Sequence, residues 1–289
     1  MKMRRVAVVA GVMAAVACMA SGPATQPGRS AADYEAHAKA LRTKLPKGFT
    51  VLVEAPFVVA GDGGAEAVQA SATGTVKWAV EHLKMDYFEK DPAEIITIYL
   101  FKDKASYDKY AKEMFGDDDP GTPYGYYSPT HKALIMNIST GGGTLVHEIV
   151  HPFMAANFPN CPAWFNEGMG SLYEQSAEKD GHIVGRTNWR LAGLQKAIGA
   201  KKVPAFKELL AMDSDTFYTQ DRGTNYSQAR YLCYYLQEKG LLREYYKAFV
   251  KNQKADPTGL ATLKQVLGEK DLEAFQVRWE KWVMGLRFP

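Results

Sequence analysis

The most informative segment of the sequence is His147-Glu148-Ile149-Val150-His151, two histidines and a glutamate spaced as H-E-x-x-H. On a helix, residues four positions apart share a face, so both imidazoles can reach one metal ion. A glutamate beside such a zinc ion can take a proton from its bound water. The pattern therefore predicts a helix with zinc ligands His147 and His151 and the general base Glu148. The alternative is a surface helix with two unrelated histidines.

A third zinc ligand is expected downstream, because catalytic zinc binds three protein groups and keeps one position open. The segment Trp164-Phe165-Asn166-Glu167-Gly168 follows closely, and Glu167 stands sixteen residues beyond His151. That distance allows the first helix to end, the chain to turn through residues 158–162, and a second helix to return. Its Glu167 carboxylate could then complete the site.

These two segments resemble the zinc segments of the gluzincin metallopeptidases, and the wider run is most similar to the peptidase MA-like proteins, many of them exported bacterial proteins. The resemblance implies an α+β fold with a thermolysin-like catalytic core, in which His147, His151 and Glu167 bind Zn²⁺. It also implies that a tyrosine on a later helix donates to the oxyanion. Residues 225–230 are similar to that helix and place Tyr226 at the matching position; the alternative for Tyr226 is core packing.

Two features depart from the family pattern. Pro152 removes a helix hydrogen bond directly after the second histidine, so we expect the helix to kink or end there. The Gly-x-Met-Glu-Asn motif with which the aminopeptidase N family holds a substrate amino terminus is absent. Aminopeptidase specificity is therefore not expected.

The amino terminus is typical of an export signal. A basic start precedes an apolar run from Val6 to Ala20, which is shorter than a membrane-spanning helix requires. We predict a signal peptide over residues 1–20, a linker over 21–32, and a periplasmic or extracellular location. Ala15-Val16-Ala17-Cys18 also resembles a lipoprotein cleavage box, so Cys18 is a candidate lipid anchor, with ordinary cleavage after Ala20 as the alternative.

Charge excludes one class of partner. The chain has 289 residues with 35 Lys and Arg against 32 Asp and Glu, and Lys2, Arg4 and Arg5 account for the whole basic excess. A protein that binds nucleic acid through phosphate neutralisation needs a basic surplus. We therefore expect no nucleic-acid partner, a peptide or protein as substrate, and membrane contact only through the signal or a lipid on Cys18.

The order of predicted elements indicates an α+β domain over residues 33–289, with a mixed α/β lobe to about residue 190 and a helical lobe after it. Strands are predicted over 49–60, 95–101 and 132–138, a loop over 117–130, and a small hairpin at 182–184. Helices are predicted over 65–89, 103–114, 144–157, 163–177, 189–199, 205–212, 225–239, 242–253, 258–267 and 270–286.

Several side chains are secondary candidates. Glu174 lies on the same helical face as Glu167 and could support a ligand imidazole, with Ser171 as a weaker choice; a solvated Glu174 is equally compatible with the sequence. His182 is a candidate second oxyanion donor.

Other predictions concern the cleft and the core. Arg186, Asn188 and Arg190 could line a substrate cleft, and strand 132–138 could pair with an extended peptide; surface residues and an interior strand are the respective alternatives. Trp189 is expected to pack. Cys161 and Cys233 could form one disulfide or remain as two buried thiols.

The sequence thus predicts a zinc-dependent peptide-bond hydrolase in which Glu148 is the general base and Tyr226 the oxyanion donor. The competing hypothesis is a catalytically inactive or structural-zinc protein of the cell envelope.

Overall fold

A computed structural model describes residues 29–288. The predicted signal peptide, Cys18 and most of the predicted linker lie outside the described residues. Helix α1 (Ala31–Lys44) is capped by Ser30. The Ser30 hydroxyl accepts from the Asp33 backbone N–H, and the Asp33 carboxylate accepts from the Ser30 backbone N–H. The predicted linker to residue 32 is therefore two residues too long.

The domain is mixed α+β, as predicted, and it contains a small mixed sheet. The strands are β1 (Thr50–Glu54), β2 (Phe57–Gly61), β3 (Ile96–Phe101), β4 (Gly125–Ser128) and β5 (Ala133–Asn137). Their order in the sheet is β1-β2-β3-β5-β4, with parallel pairs in the middle and an antiparallel pair at each edge.

Three strand predictions need correction. Residues 49–60 form a hairpin rather than one strand, because Ala55 and Pro56 form the turn between β1 and β2. The predicted loop over 117–130 contains β4. Strand β5 lies between β3 and β4, so both its edges are occupied and the predicted pairing with an extended peptide at 132–138 is wrong.

Helices cover both faces of this sheet. Alternate strand residues such as Phe57 and Val59 join the main core, whereas Val58 and Ala60 join a second core beneath α1. The remaining helices of this half are α2 (Ala65–Ser71), which continues through a π-helical turn (Ala72–Lys77) into α3 (Trp78–Asp86), then α4 (Lys104–Phe115) and α5 (Gly143–Asn157).

After α6 (Ala163–Leu172) and the hairpin β6 (Ser176–Lys179) and β7 (His182–Gly185), the described chain is helical. Helix α6 stops five residues before its predicted end because the chain enters β6. The later helices are α7 (Arg190–Gly199), α8 (Phe206–Ala211), α9 (Ser214–Thr219), α10 (Arg222–Glu238), α11 (Leu242–Asn252), α12 (Leu260–Leu267) and α13 (Leu272–Gly285). The sequence did not predict α1 or α9 as helices.

The close approach of α6 and α10 joins the two halves. Gly168 lies where a Cβ atom would stand 2.9 Å from Cys233 Sγ and 3.1 Å from the Ala229 carbonyl, so only glycine fits. The buried Arg230 of α10 donates from Nε to the Ser171 carbonyl at 2.8 Å, at the end of α6. One continuous apolar core consequently runs from β2 to α13.

Cys161 and Cys233 are free thiols. Cys233 is buried and Cys161 is half-buried against the core, and the apolar surroundings raise the pKa of both thiols. Across residues 29–288, no helix combines the length and the apolar character needed to span a bilayer.

Candidate metal centre

Helix α5 presents the two histidines on one face. The His147 and His151 ring centroids are 4.8 Å apart. Pro152 does not end the helix as expected, since α5 continues to Asn157. One missing backbone hydrogen bond is tolerated here because apolar residues on both sides of Pro152 anchor α5 in the core. The buried anchoring residues are Leu145, Val146, Ile149, Val150, Phe153 and Met154.

The side chains of the motif form a compact cluster. Ligand atoms of His147, Glu148 and His151 all lie within 4.8 Å of one another, a grouping that could hold a metal ion. His147 is buried, whereas Glu148 and His151 are half-buried. The cluster can therefore be reached from solvent on the side of Glu148 and His151.

Helix α6 brings a second carboxylate to this cluster. Glu167 Oε2 lies 3.2 Å from His147 Nε2 and 3.9 Å from His151 Nε2. Gly170 permits this approach, because a Cβ atom there would stand 3.2 Å from the His147 ring. The structure thus brings together His147, His151 and Glu167, the three residues predicted as zinc ligands.

The two separations from Glu167 Oε2 are close to the spacing of donors that share one ion. Donors about 2.1 Å from a tetrahedral ion stand roughly 3.4 Å apart, and the two distances lie on either side of that value. Glu167 Oε2 is also buried and has no hydrogen-bond partner among the described residues. A buried carboxylate oxygen left in this state is costly unless a cation compensates it, and either a protonated His147 or a bound metal ion supplies that charge.

An acceptor group lies beside the Nδ1 atom of each imidazole, and the Nε2 atoms of both rings face Glu167. His151 Nδ1 lies 3.1 Å from Asn166 Oδ1. His147 Nδ1 lies 3.2 Å from Glu174 Oε1, outside hydrogen-bond geometry but close enough for electrostatic attraction. Groups of this kind fix the tautomer and orientation of metal-bound histidines.

Glu174 is itself held firmly. Its Oε2 accepts from Asn188 Nδ2 at 3.0 Å and from Arg190 Nε at 2.8 Å, and its Oε1 accepts from Arg190 Nη2 at 2.6 Å. The buried Asn188 and half-buried Arg190 therefore both position Glu174, and Asn188 is too buried to line a cleft as predicted. Glu174 takes the supporting place that the sequence suggested, and it is not a solvated surface group.

Two contacts were missed by the sequence analysis. Asn166 had no predicted role, although it neighbours Glu167 and its Oδ1 lies 3.1 Å from His151 Nδ1. Tyr218, from the unpredicted helix α9, donates to Glu167 Oε1 at 2.8 Å. No sequence signal pointed to Tyr218, which lies 51 residues from its partner.

The electrostatics follow from burial and these carboxylates. Burial opposes protonation of His147, but Glu167 and Glu174 outweigh it and raise the pKa of His147 to about 10. Burial likewise opposes ionisation of Glu167, yet the two histidines and Tyr218 lower the pKa of Glu167 to about 2. Proton binding by His147 and metal binding at this centre therefore compete with each other.

Glu148 differs from the other carboxylates of the centre. Burial raises the pKa of Glu148, and the neighbouring histidine charges only partly offset that effect. A carboxylate whose pKa moves towards neutrality is better suited to accept and return a proton at neutral pH.

Tyr226 stands beside the cluster and is nearly buried. Its ring centroid lies 6.2 Å from that of Tyr218, and burial followed by the Glu167 charge raises the pKa of Tyr226. Its hydroxyl therefore stays protonated at neutral pH and can donate.

The remaining predicted side chains lie elsewhere or face solvent. His182 pairs with the buried Asp86, Nδ1 to Oδ1 at 2.6 Å, and both contact Arg243; among the described residues, none of the three contacts the histidines of α5. The structure thus gives His182 a supporting role in the hairpin rather than a donor role at the centre. Arg186 is exposed, and Trp189 is 52% exposed rather than packed, because it sits at the turn before α7.

No model of a known protein family matches the chain, and no curated protein matches it either. Functional inference therefore depends on the geometry of residues 147–151, on Glu167 and on the groups around them.

Proposed function

We propose that this protein is a zinc-dependent peptide-bond hydrolase of the gluzincin type with a thermolysin-like core. The observation that carries the proposal is the buried Glu167 Oε2, which has no hydrogen-bond partner among the described residues and faces the Nε2 atoms of both His147 and His151. Two imidazoles and one carboxylate, with a second carboxylate beside them, match the ligand chemistry of a catalytic zinc site.

His147, His151 and Glu167 would hold the ion. Zinc bound there supplies polarisation of the scissile carbonyl and a water of lowered pKa. Glu148 accepts the proton of the attacking water and returns it to the leaving amine. Tyr226 donates a hydrogen bond where negative charge develops on the carbonyl oxygen.

The supporting groups keep this arrangement in place. Asn166 and Glu174 orient the two imidazoles, and Tyr218 holds the second oxygen of Glu167. The basic and apolar amino terminus supports export, so a peptide or protein substrate outside the cytoplasm completes the proposal.

Metal analysis tests this function directly. We expect about one zinc per chain, cleavage within a mixed peptide library, and loss of cleavage on chelation with the fold retained, because the apolar core does not depend on the metal. Circular dichroism and peptide mass spectrometry would measure the two responses. Unfolding on chelation would instead support structural zinc, and a zinc-loaded protein without cleavage would support the inactive alternative.

The two tyrosines of the centre should respond differently to loss of their hydroxyls. Tyr226→Phe is expected to lower kcat by about 10²–10³-fold with zinc affinity unchanged, since only an oxyanion donor is removed. Tyr218→Phe is expected to weaken zinc binding by about tenfold through Glu167 and to change kcat less at saturating zinc. Steady-state kinetics and zinc titration of both variants would show whether these roles are instead exchanged.

A further inference from the structure

The rim of the metal centre carries two guanidinium groups. The Arg222 guanidinium carbon lies 5.3 Å from the Tyr226 ring centroid, and that of Arg190 lies 5.4 Å from the same centroid. Tyr226 in turn neighbours Tyr218, which is bonded to Glu167. Two positive charges therefore stand beside the residue that, in the proposed function, meets the substrate carbonyl.

Arg222 is available to a ligand. Arg222 is exposed, and its guanidinium forms no ion pair with any carboxylate in the described part of the chain. Arg222 is also the first residue of the long helix α10, and no side chain caps that helix end, which adds partial positive charge at the same place. The adjacent Asp221 makes no capping bond, and Asp213 is occupied in capping α9.

Arg190 offers one remaining edge. Its Nε and Nη2 atoms donate to Glu174. Its Nη1 atom makes no hydrogen bond within residues 29–288 and is not sealed off from solvent. A guanidinium group has five N–H donors in a fixed plane, which match the two oxygens of a carboxylate. An anionic group lying against Tyr226 could therefore be bound by Arg222 and approached by Arg190.

We propose that Arg222, assisted by the free edge of Arg190, binds a carboxylate of the substrate, so that the enzyme selects peptides with an acidic side chain close to the scissile bond. This inference rests on the proposed hydrolase function and names its substrate class. Arg222 is the specificity-determining residue, whereas Arg190 is mainly engaged in positioning Glu174.

Matched peptides test the preference. A set of peptides carries Glu, Gln or Lys at single positions on either side of the cleaved bond, with all other residues constant. With the zinc-loaded parent we expect kcat/KM to be roughly ten- to a hundredfold higher for Glu than for Gln at one position, which is the size of a charge-assisted contact. The preference should shrink as salt is added, because Arg222 is exposed.

Variants assign the preference to a residue. Arg222→Gln should bring the Glu and Gln peptides to equal kcat/KM, and Arg222→Glu should favour the Lys peptide. Arg278→Gln, which removes an exposed arginine of α13 paired with Glu269, should keep the parent preference.

The outcomes separate this inference from the function on which it rests. No cleavage of any peptide by the zinc-loaded parent would count against the hydrolase proposal itself. Cleavage at equal rates for Glu and Gln peptides would overturn only the carboxylate inference. An Arg222→Gln variant that lowers kcat equally for both peptides would also overturn it, because Arg222 would then act only on Tyr226.

Discussion

Replacing Glu148 by glutamine is expected to lower kcat by about 10²–10⁴-fold while zinc stays bound. The amide has the size of the carboxylate but cannot accept the proton of the attacking water. His147, His151 and Glu167, the proposed zinc ligands, remain unchanged, so the metal content should match that of the parent. Steady-state hydrolysis of a cleavable peptide and zinc stoichiometry of the purified variant measure both parts of the expectation.

Glu113→Gln is the matched control for this change. Glu113 is an exposed glutamate of α4, so its amide variant should hydrolyse peptides at the parent rate. Hydrolysis by the Glu148 variant at the parent rate would remove Glu148 from the role of base. Loss of zinc from the Glu148 variant would indicate that Glu148 is a metal ligand. The zinc measurement is needed because the Glu148 carboxylate lies within 4.8 Å of the ligand atoms of both histidines.

Replacing Glu167 by alanine is expected to weaken zinc binding by more than about 100-fold and to abolish hydrolysis at ordinary zinc concentrations. The expected loss exceeds the 10- to 100-fold change that follows when a group merely supporting a ligand is removed. Tyr218 would also lose its partner, the Oε1 atom. Zinc titration against a competing chelator gives the affinity of each variant.

Glu174→Gln provides the discriminating comparison, because both glutamates are buried and contact the same imidazole. Glu167 faces His147 Nε2, whereas Glu174 faces Nδ1 and is shared with Arg190. We expect the Glu174 variant to lose only about 10–100-fold in zinc affinity. A Glu174 variant that loses zinc while the Glu167 variant retains it would reverse the two assignments.

Local periodicity accounts for the part of the centre that could be predicted. Residues four apart share a helical face, so the relation between His147 and His151 is fixed by α5 alone. The helix does not end at Pro152, one of the two outcomes expected there, because α5 has apolar anchoring residues on both sides of the proline. The split of residues 49–60 at Pro56 shows the opposite case, in which a proline does end the predicted strand.

Contacts between distant segments account for what was missed. Tyr218 reaches Glu167 because α9 packs against α6, and Arg190 reaches Glu174 because the chain turns back after β7. None of these partners is related by a helical or strand repeat, so no sequence period could have paired them. The interior position of β5 is of the same kind, since it depends on where β4 joins the sheet.

The class of fold, the helix carrying the two histidines and the residue types available to a divalent ion could all be predicted from the sequence, because each follows from short-range backbone geometry and side-chain chemistry. Two features of the centre depend on the folded chain: the Glu167 oxygen faces both imidazoles without a hydrogen-bond partner within residues 29–288, and Asn166, Glu174 and Tyr218 support the centre. The physical reason is that packing of α6 against α5, α9 and α10 sets these distances, and packing depends on the whole core.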